Sequence, residues 1–166
     1  MSNNLAKKVR LIFFDFDGVF TNNRVIVDEY GHEYVVCNRS DGIGIDMIKK
    51  KGIKIYVIST ERNRVVKLRC KKLRLKVFYG IKNKAKMLKH ICDKEAVSLE
   101  NVMYVGNDIN DLEAMKLVGV SIAPNDSNNK IKEICDILLL TKGGEGVTRE
   151  IYEILNNNRL EEINNK

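Results

Sequence analysis

The sequence predicts a doubly wound α/β fold, in which helices cover both faces of an open parallel β-sheet. Short apolar runs alternate with stretches of helical periodicity along most of the 166 residues, and this alternation is typical of parallel sheets. Two short segments that flank a glycine interrupt the alternation after the first run, which predicts an inserted β-hairpin. No apolar run approaches the roughly 20 residues that a membrane-spanning helix needs.

Six apolar runs predict the strands of the sheet. They are too short for helices and lack polar alternation, as expected of strands buried on both faces. The predicted strands lie at 9–14, 54–59, 76–79, 102–105, 120–123 and 136–140. Helical patterns separate or follow them at 43–51, 63–73, 83–96, 110–118, 128–135 and 146–155. Each strand–helix–strand unit is expected to cross over with the right-handed sense.

The inserted hairpin comprises residues 24–27 and 33–37, with Gly31 in its turn. We expect no large cap domain, because no other insertion interrupts the pattern. At this length we expect one domain over residues 1–155, followed by a polar tail at 156–166. The start of the chain lacks the apolar core of a secretion signal, so we expect a cytoplasmic protein.

Positive charge is concentrated in the middle of the chain. Residues 49–89 contain 16 of the 29 basic residues and one acid, Glu61, whereas the rest contains 13 basic and 21 acidic residues. Such asymmetry predicts an anionic partner. The segment lacks interleaved glycine and aromatic residues and the chain has no tryptophan, so we do not expect nucleic acid as the partner. Since no apolar run is long enough to span a bilayer, we expect no membrane partner. A phosphorylated small molecule fits better.

The strongest chemical signal is the motif DFDGVFT, which directly follows the first predicted strand. Ligand sites of open parallel sheets form at the carboxyl ends of the strands. Asp15 and Asp17 are therefore expected to face one crevice, and Gly18 allows a sharp exit of the chain. A calcium loop is disfavoured, because the DxDxDG pattern and its downstream glutamate are absent.

A second acidic motif, GNDIND at residues 106–111, follows the fourth predicted strand of the sheet. Carboxylates that converge on one crevice repel each other, so a hard divalent cation is expected between them. An oxygen-only ligand set favours Mg²⁺. An alternative is that Asp108 or Asn110 only caps the next helix.

Ser59 and Lys84 are candidate phosphate ligands. Ser59 ends the second predicted strand of the sheet, and Lys84 begins a helix. A hydroxyl and an ammonium group at such positions suit phosphoryl oxygens. For each residue alone, a helix cap or a solvated lysine is the commoner explanation.

Taken in order, Asp15-x-Asp17, Ser59, Lys84 and the loop 106–111 resemble the haloacid dehalogenase (HAD) superfamily of phosphotransferases, which has a Rossmann-like (HAD-like) fold. The resemblance implies that Asp15 is the nucleophile that forms an aspartyl-phosphate, and that Asp17 is the general acid and base. It implies that Ser59 and Lys84 hold the phosphoryl group. It also implies a Mg²⁺ ion bound by Asp15, Asp17, Asn107 and Asp108.

Without a large cap, the chain resembles the branch that contains 3-deoxy-octulosonate 8-phosphate phosphatase and nonulosonate 9-phosphate phosphatases. The segments at 38–45, 59–63 and 142–151 carry this resemblance. The first two are also similar to the phosphatase-type domain of some acylneuraminate cytidylyltransferases. The branch implies a homotetramer in which hairpins assemble centrally and neighbouring subunits complete each active site.

Substrate choice is expected to follow a few positions. Octulosonate enzymes usually have Arg at the position of Glu61 and GGRG where this chain has Glu145. The pair Glu61 and Lys72 resembles the pair that nonulosonate enzymes direct at the sugar. The resemblance therefore favours a sialic-acid-like 9-phosphate, with an octulosonate 8-phosphate as the other candidate. The residues expected to bind the substrate are Asp17, Ser59, Thr60, Glu61, Arg69, Lys72, Lys84 and Glu145.

One position departs from the superfamily. An aspartate usually follows the glycine of the last motif and binds the metal, but this chain has Asn107, with Asp108 next. An amide oxygen can bind Mg²⁺ but contributes no charge. The alternative function is therefore a weakly active or inactive domain that acts as an oligomerisation partner in acylneuraminate activation.

Overall fold

The structure, a computed structural model, describes residues 8–156 and confirms the doubly wound α/β fold. Six parallel strands form one sheet in the order β5-β4-β1-β6-β7-β8, and β2 pairs with β3 in a separate antiparallel hairpin. The strands are Leu11–Phe14 (β1), Ile26–Val27 (β2), Glu33–Tyr34 (β3), Lys54–Ile58 (β4), Lys76–Phe78 (β5), Val102–Val105 (β6), Val120–Ala123 (β7) and Ile137–Leu138 (β8). Within residues 8–156, no helix is both long and apolar enough to cross a membrane.

Six α-helices connect or follow the strands in the described part of the chain. They are Ser40–Lys49 (α1), Arg64–Lys72 (α2), Lys84–Glu95 (α3), Leu112–Met115 (α4), Asn129–Ile134 (α5) and Val147–Leu155 (α6). Nearly all of the polar tail expected at 156–166 lies outside the described residues. The division into one domain and a tail stays a prediction.

Several boundaries differ from the sequence prediction. The hairpin strands and β8 are only two residues long, and the helix predicted at 110–118 is reduced to α4 after a short 3-10 turn, Ile109–Asp111. Helix α1 begins three residues before the predicted start, although Gly42 and Gly44 weaken its helical pattern. Gly44 is needed for packing in this part of the helix, because a Cβ atom at this position would lie 2.4 Å from Thr148 Oγ1 in α6. The glycine lets the two helices approach closely.

The continuous apolar runs reflect a sheet that is buried on both faces. Along β1, Leu11 and Phe13 face one core cluster, whereas Ile12 and Phe14 face the other. The first cluster lies under α3, α4 and α5, and the second lies under α1, α2 and α6. Because side chains alternate across a strand, burial on both faces removes the polar alternation that a half-exposed strand would show.

The register of the sheet places the ends of three strands side by side. Phe14, the last residue of β1, pairs with Val57 of β4 and Val105 of β6. The ladder continues one residue further, because the Asp15 amide donates a hydrogen bond to the Val105 carbonyl at 2.9 Å. The loops that follow β1, β4 and β6 therefore begin at one edge of the sheet.

A buried carboxyl joins the start of α1 to the start of α6. Asp41 is fully buried, and its Oδ1 accepts hydrogen bonds from the Thr148 hydroxyl at 3.0 Å and the Thr148 amide at 3.3 Å. Its Oδ2 is buried without a hydrogen-bond partner in the described residues. Burial raises the pKa of Asp41 from its ordinary value of 3.8 to about 6, although Thr148 and Arg69 oppose the shift.

This shift predicts a pH-dependent loss of stability. Between pH 3.8 and about 6 the folded chain keeps a proton on Asp41 that the unfolded chain has released. The free energy of unfolding therefore falls as the pH rises through this window, by up to about 3 kcal/mol. The difference in the free energy of unfolding between the wild type and Asp41→Asn, measured by urea unfolding, should therefore change between pH 4 and pH 7.5. Parallel stability curves would contradict the prediction.

Candidate active site

The loop after β1 holds the two aspartates of the first motif. Asp15 is buried, and its Oδ1 accepts a hydrogen bond from the Phe16 amide at 2.8 Å. Asp17 is half-buried, and its Oδ1 accepts a hydrogen bond from the Thr21 hydroxyl at 3.2 Å. The same hydroxyl accepts from the Gly18 amide at 3.2 Å, which closes the turn. The turn therefore limits the positions that the Asp17 carboxyl can take.

Gly18 is required where this loop meets the loop after β6. Its φ of +79° lies in the left-handed region, which side chains other than glycine rarely adopt. A Cβ atom at this position would lie only 1.8 Å from Asn107 Nδ2. The glycine of the first motif thus permits the contact between the two acidic loops.

Lys84 forms ion pairs with two buried carboxyl groups. Its Nζ lies 2.7 Å from Asp15 Oδ1 and 2.7 Å from Asp111 Oδ1, and the side chain is almost entirely buried. Burial alone lowers the pKa of Lys84, but the two carboxylates more than offset it and the net pKa is raised. Burial and the charge of Asp111 raise the pKa of Asp15, against the opposing effect of Lys84. One lysine therefore leaves the cluster with excess negative charge.

Asp111 is a site residue that the sequence analysis did not single out. Besides Lys84, its Oδ1 accepts from the Tyr104 hydroxyl at 2.8 Å. Its Oδ2 accepts from the backbone amides of Asn107 at 2.9 Å and Asp108 at 3.2 Å. Asp111 thereby fixes both Lys84 and the loop after β6. The sequence feature that could have identified Asp111 is its position as the last acid of the motif GNDIND, five residues after Gly106.

Three oxygen-bearing groups converge beside Asp15. One end of the Asn107 side-chain amide lies 2.8 Å from the Asp17 carbonyl oxygen and 3.2 Å from Asp15 Oδ2. With its nitrogen at that end, the amide donates to both oxygens. With its oxygen at that end, the Asn107 oxygen lies about 3 Å from each of the other two oxygens, which is the spacing of neighbouring ligands around Mg²⁺, and a cation is needed to hold them together. The group therefore fits a hard divalent cation.

The candidate metal site differs in composition from a cluster of acidic side chains. In residues 8–156, no three His, Cys, Asp or Glu side chains form a group that could hold a metal. The converging set consists of one carboxylate, one backbone carbonyl and one amide. Asp108, also predicted as a ligand, lines the cavity, and its Oδ1 accepts from the Ile109 amide at 2.7 Å as the cap of the 3-10 turn. Its role as a ligand stays a prediction.

A cavity of about 700 Å³ opens at this edge of the sheet. The loops after β1, β4 and β6 line it together with the hairpin and the start of α2. Ser59 is buried in its wall, and its Oγ accepts from the Glu61 amide at 3.1 Å, which leaves the hydroxyl proton free to be donated. The lining residues are Asp15, Phe16, Asp17, Asn23, Val25, Glu33, Val35, Ser59, Thr60, Glu61, Asn63, Val65, Val66, Asn107, Asp108, Ile109 and Asn110.

The surroundings of the half-buried Asp17 favour the protonated form of its carboxyl group. Burial raises its pKa, and the nearby carboxylates of Glu61 and Glu33 add to the shift, whereas Thr21 and Lys84 oppose it. A raised pKa favours the protonated form that a general acid needs near neutral pH. Asp17 therefore suits proton transfer better than an exposed aspartate would.

Four of the predicted substrate-binding residues do not line the cavity: Lys84, which is buried beside Asp15, and Arg69, Lys72 and Glu145. Arg69 donates a hydrogen bond to the Asn38 carbonyl at 2.8 Å. Lys72 is exposed near the end of α2, and Glu145 is exposed before α6. Glu61 precedes α2, so it does not lie on the same helix as Lys72. Roles for Arg69, Lys72 and Glu145 in substrate binding stay predictions.

Comparison with known proteins places this chain in a family. A sequence model of the haloacid dehalogenase-like hydrolases matches residues 73–151. The 3-deoxy-D-manno-octulosonate 8-phosphate phosphatase KdsC of Escherichia coli K12 is 31% identical over 151 residues, which cover 90% of this chain and 80% of that protein.

Solved structures show the same fold. A protein from Streptomyces avermitilis, described as a HAD family hydrolase, superposes with a TM-score of 0.87 at 37% identity, covering 89% of this chain and 85% of that one. The cobalt-bound form of the deoxy-D-mannose-octulosonate 8-phosphate phosphatase from Haemophilus influenzae superposes with a TM-score of 0.87 at 27% identity, covering 93% and 91%. The chain therefore belongs to the haloacid dehalogenase-like hydrolases, in the capless branch of small sugar-acid phosphate phosphatases, and is a phosphoric monoester hydrolase.

Proposed function

We propose that the chain is a Mg²⁺-dependent phosphatase that hydrolyses a sugar-acid phosphate through an aspartyl-phosphate. The observation that carries this proposal is the buried pair of Asp15 and Lys84, 2.7 Å apart, of which Asp15 lines an open cavity. A nucleophilic carboxylate next to a fixed cation is the arrangement that phosphoryl transfer needs. The alternative, a non-catalytic oligomerisation partner, does not require this assembly.

In the first step, a carboxylate oxygen of Asp15 attacks phosphorus. The bond between phosphorus and the alcohol oxygen breaks, and protonated Asp17 gives its proton to the departing oxygen. In the second step, Asp17 takes a proton from a water molecule that attacks phosphorus. The bond between phosphorus and the Asp15 oxygen breaks, which releases phosphate and restores the carboxylate. Lys84 and the Ser59 hydroxyl neutralise and orient the phosphoryl oxygens.

Asp15 Oδ2, the Asp17 carbonyl and the Asn107 amide oxygen would hold the metal. A bound Mg²⁺ would reduce the repulsion between the nucleophile and the anionic phosphate and lower the raised pKa of Asp15. The cobalt-bound relative from H. influenzae supports a divalent cation at this kind of site. Because Asn107 supplies no charge, we expect weaker metal binding than an aspartate would give.

Two sugar acids compete as the preferred substrate. The name of the E. coli relative supports a 3-deoxy-octulosonate 8-phosphate. The placement of Glu61 in the cavity wall supports a sialic-acid-like nonulosonate 9-phosphate, because nonulosonate enzymes carry an acid where octulosonate enzymes usually carry Arg. We favour the nonulosonate on this ground.

Side-by-side kinetics tests this choice. We expect a higher kcat/KM for the nonulosonate 9-phosphate than for the octulosonate 8-phosphate. Glu61→Arg should move the ratio of the two kcat/KM values toward the octulosonate by at least about tenfold, because it inverts the charge of one wall. A wild-type preference for the octulosonate would overturn the assignment, and release of no phosphate from either substrate would favour the scaffold.

We also propose a homotetramer assembled through the hairpin. Single-chain packing leaves large apolar side chains of residues 25–36 exposed, with Tyr30 78% and Ile26 63% accessible. An apolar patch of this kind marks an interface in many proteins. The others are Val25, Val27, Tyr34 and Val36.

Ile26→Asp is expected to convert the assembly to smaller species. The change puts a charge in the middle of the proposed apolar interface, where it would be desolvated without a partner. Size-exclusion chromatography with light scattering measures the mass. Leu68→Asp, at an exposed position of α2 outside the hairpin and the cavity wall, is a control that should keep the assembly. A monomeric wild type, or an Ile26→Asp variant of unchanged mass, would contradict the proposal.

A further inference from the structure

The cavity wall carries one carboxylate that the catalytic scheme does not use. Glu33, in β3 of the hairpin, lines the cavity, and its Oε2 accepts a hydrogen bond from Asn63 Nδ2 at 2.8 Å. No other side-chain hydrogen bond or ion pair holds Glu33 within residues 8–156. Its Oε1 therefore remains available to a ligand.

Asn63 holds this carboxylate in a defined orientation. Its Oδ1 accepts from the Val65 amide at 3.0 Å and so caps the start of α2. Because the oxygen end of the amide must face that N–H group, the NH₂ end must face Glu33. One side chain thereby joins the start of α2 to the hairpin. An unanchored glutamate would instead lose rotamer entropy whenever it bound a ligand.

The charge of the cavity indicates which ligand group Glu33 suits. Of the residues that line it, five are carboxylates and none is Lys or Arg in the described part of the chain. The catalytic cation, Lys84, is buried between Asp15 and Asp111. Away from the phosphoryl end, the cavity therefore offers acceptors of hydrogen bonds rather than cations. Alcohol hydroxyl groups match such a wall, because they donate hydrogen bonds to carboxylate oxygens.

We propose that Glu33 is a specificity-determining residue that accepts hydrogen bonds from hydroxyl groups of a polyhydroxylated phosphate ester, and that Asn63 is the residue that positions it. This inference rests on the proposed phosphatase function of the same site. Glu33 is exposed to solvent in the free protein, so an ester without hydroxyl groups would displace water from its carboxylate and bring no donor in exchange. Glu33 would thereby favour sugar-derived esters over simple aryl phosphates.

The test compares substrates with and without hydroxyl groups. Phosphate release is measured on the preferred sugar-acid phosphate, on sorbitol 6-phosphate and on phenyl phosphate. For Glu33→Gln we expect the ratio of kcat/KM for the hydroxylated esters to that for phenyl phosphate to fall about tenfold, mainly through KM, because a charged acceptor is lost. Asn63→Ser keeps an oxygen that can cap α2 but loses the NH₂ donor, and a smaller fall in the same ratio is expected. Glu29→Gln, an exposed hairpin change outside the cavity wall, should leave the ratio unaltered.

The outcomes separate this inference from the function on which it rests. An equal fall on all three substrates would indicate a structural role and overturn the inference, as would an unchanged ratio for Glu33→Gln. If the wild type hydrolyses sorbitol 6-phosphate and phenyl phosphate but no sugar-acid phosphate, the proposed substrate fails. The role of Glu33 is then decided by the ratio of the two remaining esters. If the wild type releases no phosphate from any ester, both proposals fail.

Discussion

Asp15→Asn is expected to abolish phosphate release, lowering kcat by at least about 10⁴-fold, because an amide cannot form the aspartyl-phosphate. The substitution keeps the size of the side chain and an oxygen that can face Lys84 and the Phe16 amide. Folding should survive, since burial and Asp111 already disfavour the charge of Asp15 in the free protein. The measurements are phosphate release under saturating substrate and Mg²⁺ and thermal unfolding of the same preparation.

Asp93→Asn is the matched control for this loss. Asp93 is an exposed aspartate on α3 and does not line the cavity. Its amide variant should keep both activity and the unfolding temperature of the wild type. If Asp15→Asn retained activity within about tenfold, the nucleophile would lie elsewhere. If it lost its folded structure as well as its activity, the prediction that folding survives would be contradicted.

The fold and the phosphoryl end of the site could be predicted from local signals. The continuous apolar runs predicted strands that are buried on both faces of the sheet, and the polar residues that follow each run lie at the ends of these strands. Asp15, Ser59 and Asn107 are brought to one edge because β1, β4 and β6 are neighbours. The chain places β4 and β5 successively on one side of β1 and then returns past both strands to place β6 on the other side of β1. This part of the site needs the order of the strands and little else.

Residues whose roles depend on how helices and loops dock could not be predicted in the same way. The position of Lys72 is set by α2, whose Val66 and Cys70 pack against the core, and helical spacing alone does not specify that rotation. Gly42 and Gly44 lower the helix propensity at the start of α1, so the sequence pattern did not predict where this helix begins. The close packing of Gly44 against α6 stabilises the helix there. Asp111 looks like an ordinary acid at the start of a helix until the turn before α4 brings it under Asn107.

Asp111→Asn is expected to have the second-largest effect, on stability as well as turnover. Four donors point at its two oxygens: Lys84 Nζ, the Tyr104 hydroxyl and the amides of Asn107 and Asp108. An NH₂ group at either oxygen position would face two of these donors. Breaking a buried ion pair on one side costs about 3–5 kcal/mol, so we expect a decrease of this size in the free energy of unfolding.

Turnover should fall by about 10²-fold, because Lys84 and the loop that carries Asn107 lose their common anchor. Urea unfolding and phosphate release measure the two effects. Glu113→Gln serves as the control, since Glu113 and Lys116 form an exposed pair on the surface of the protein. Such a pair contributes about 0.5 kcal/mol or less, so this variant should resemble the wild type in both measurements.

A double-mutant cycle with Lys84→Met distinguishes an anchor from a merely buried acid. If Asp111 acts chiefly through Lys84, the losses of stability in the two single variants should not add, and the coupling energy should reach about 1–3 kcal/mol. Additive losses would show that Asp111 stabilises the loop through Tyr104 and the two backbone amides without Lys84. We therefore expect a large coupling energy in stability. We also expect the kcat of the double variant to be about equal to that of Lys84→Met, because the position of residue 84 no longer matters once its charge is removed.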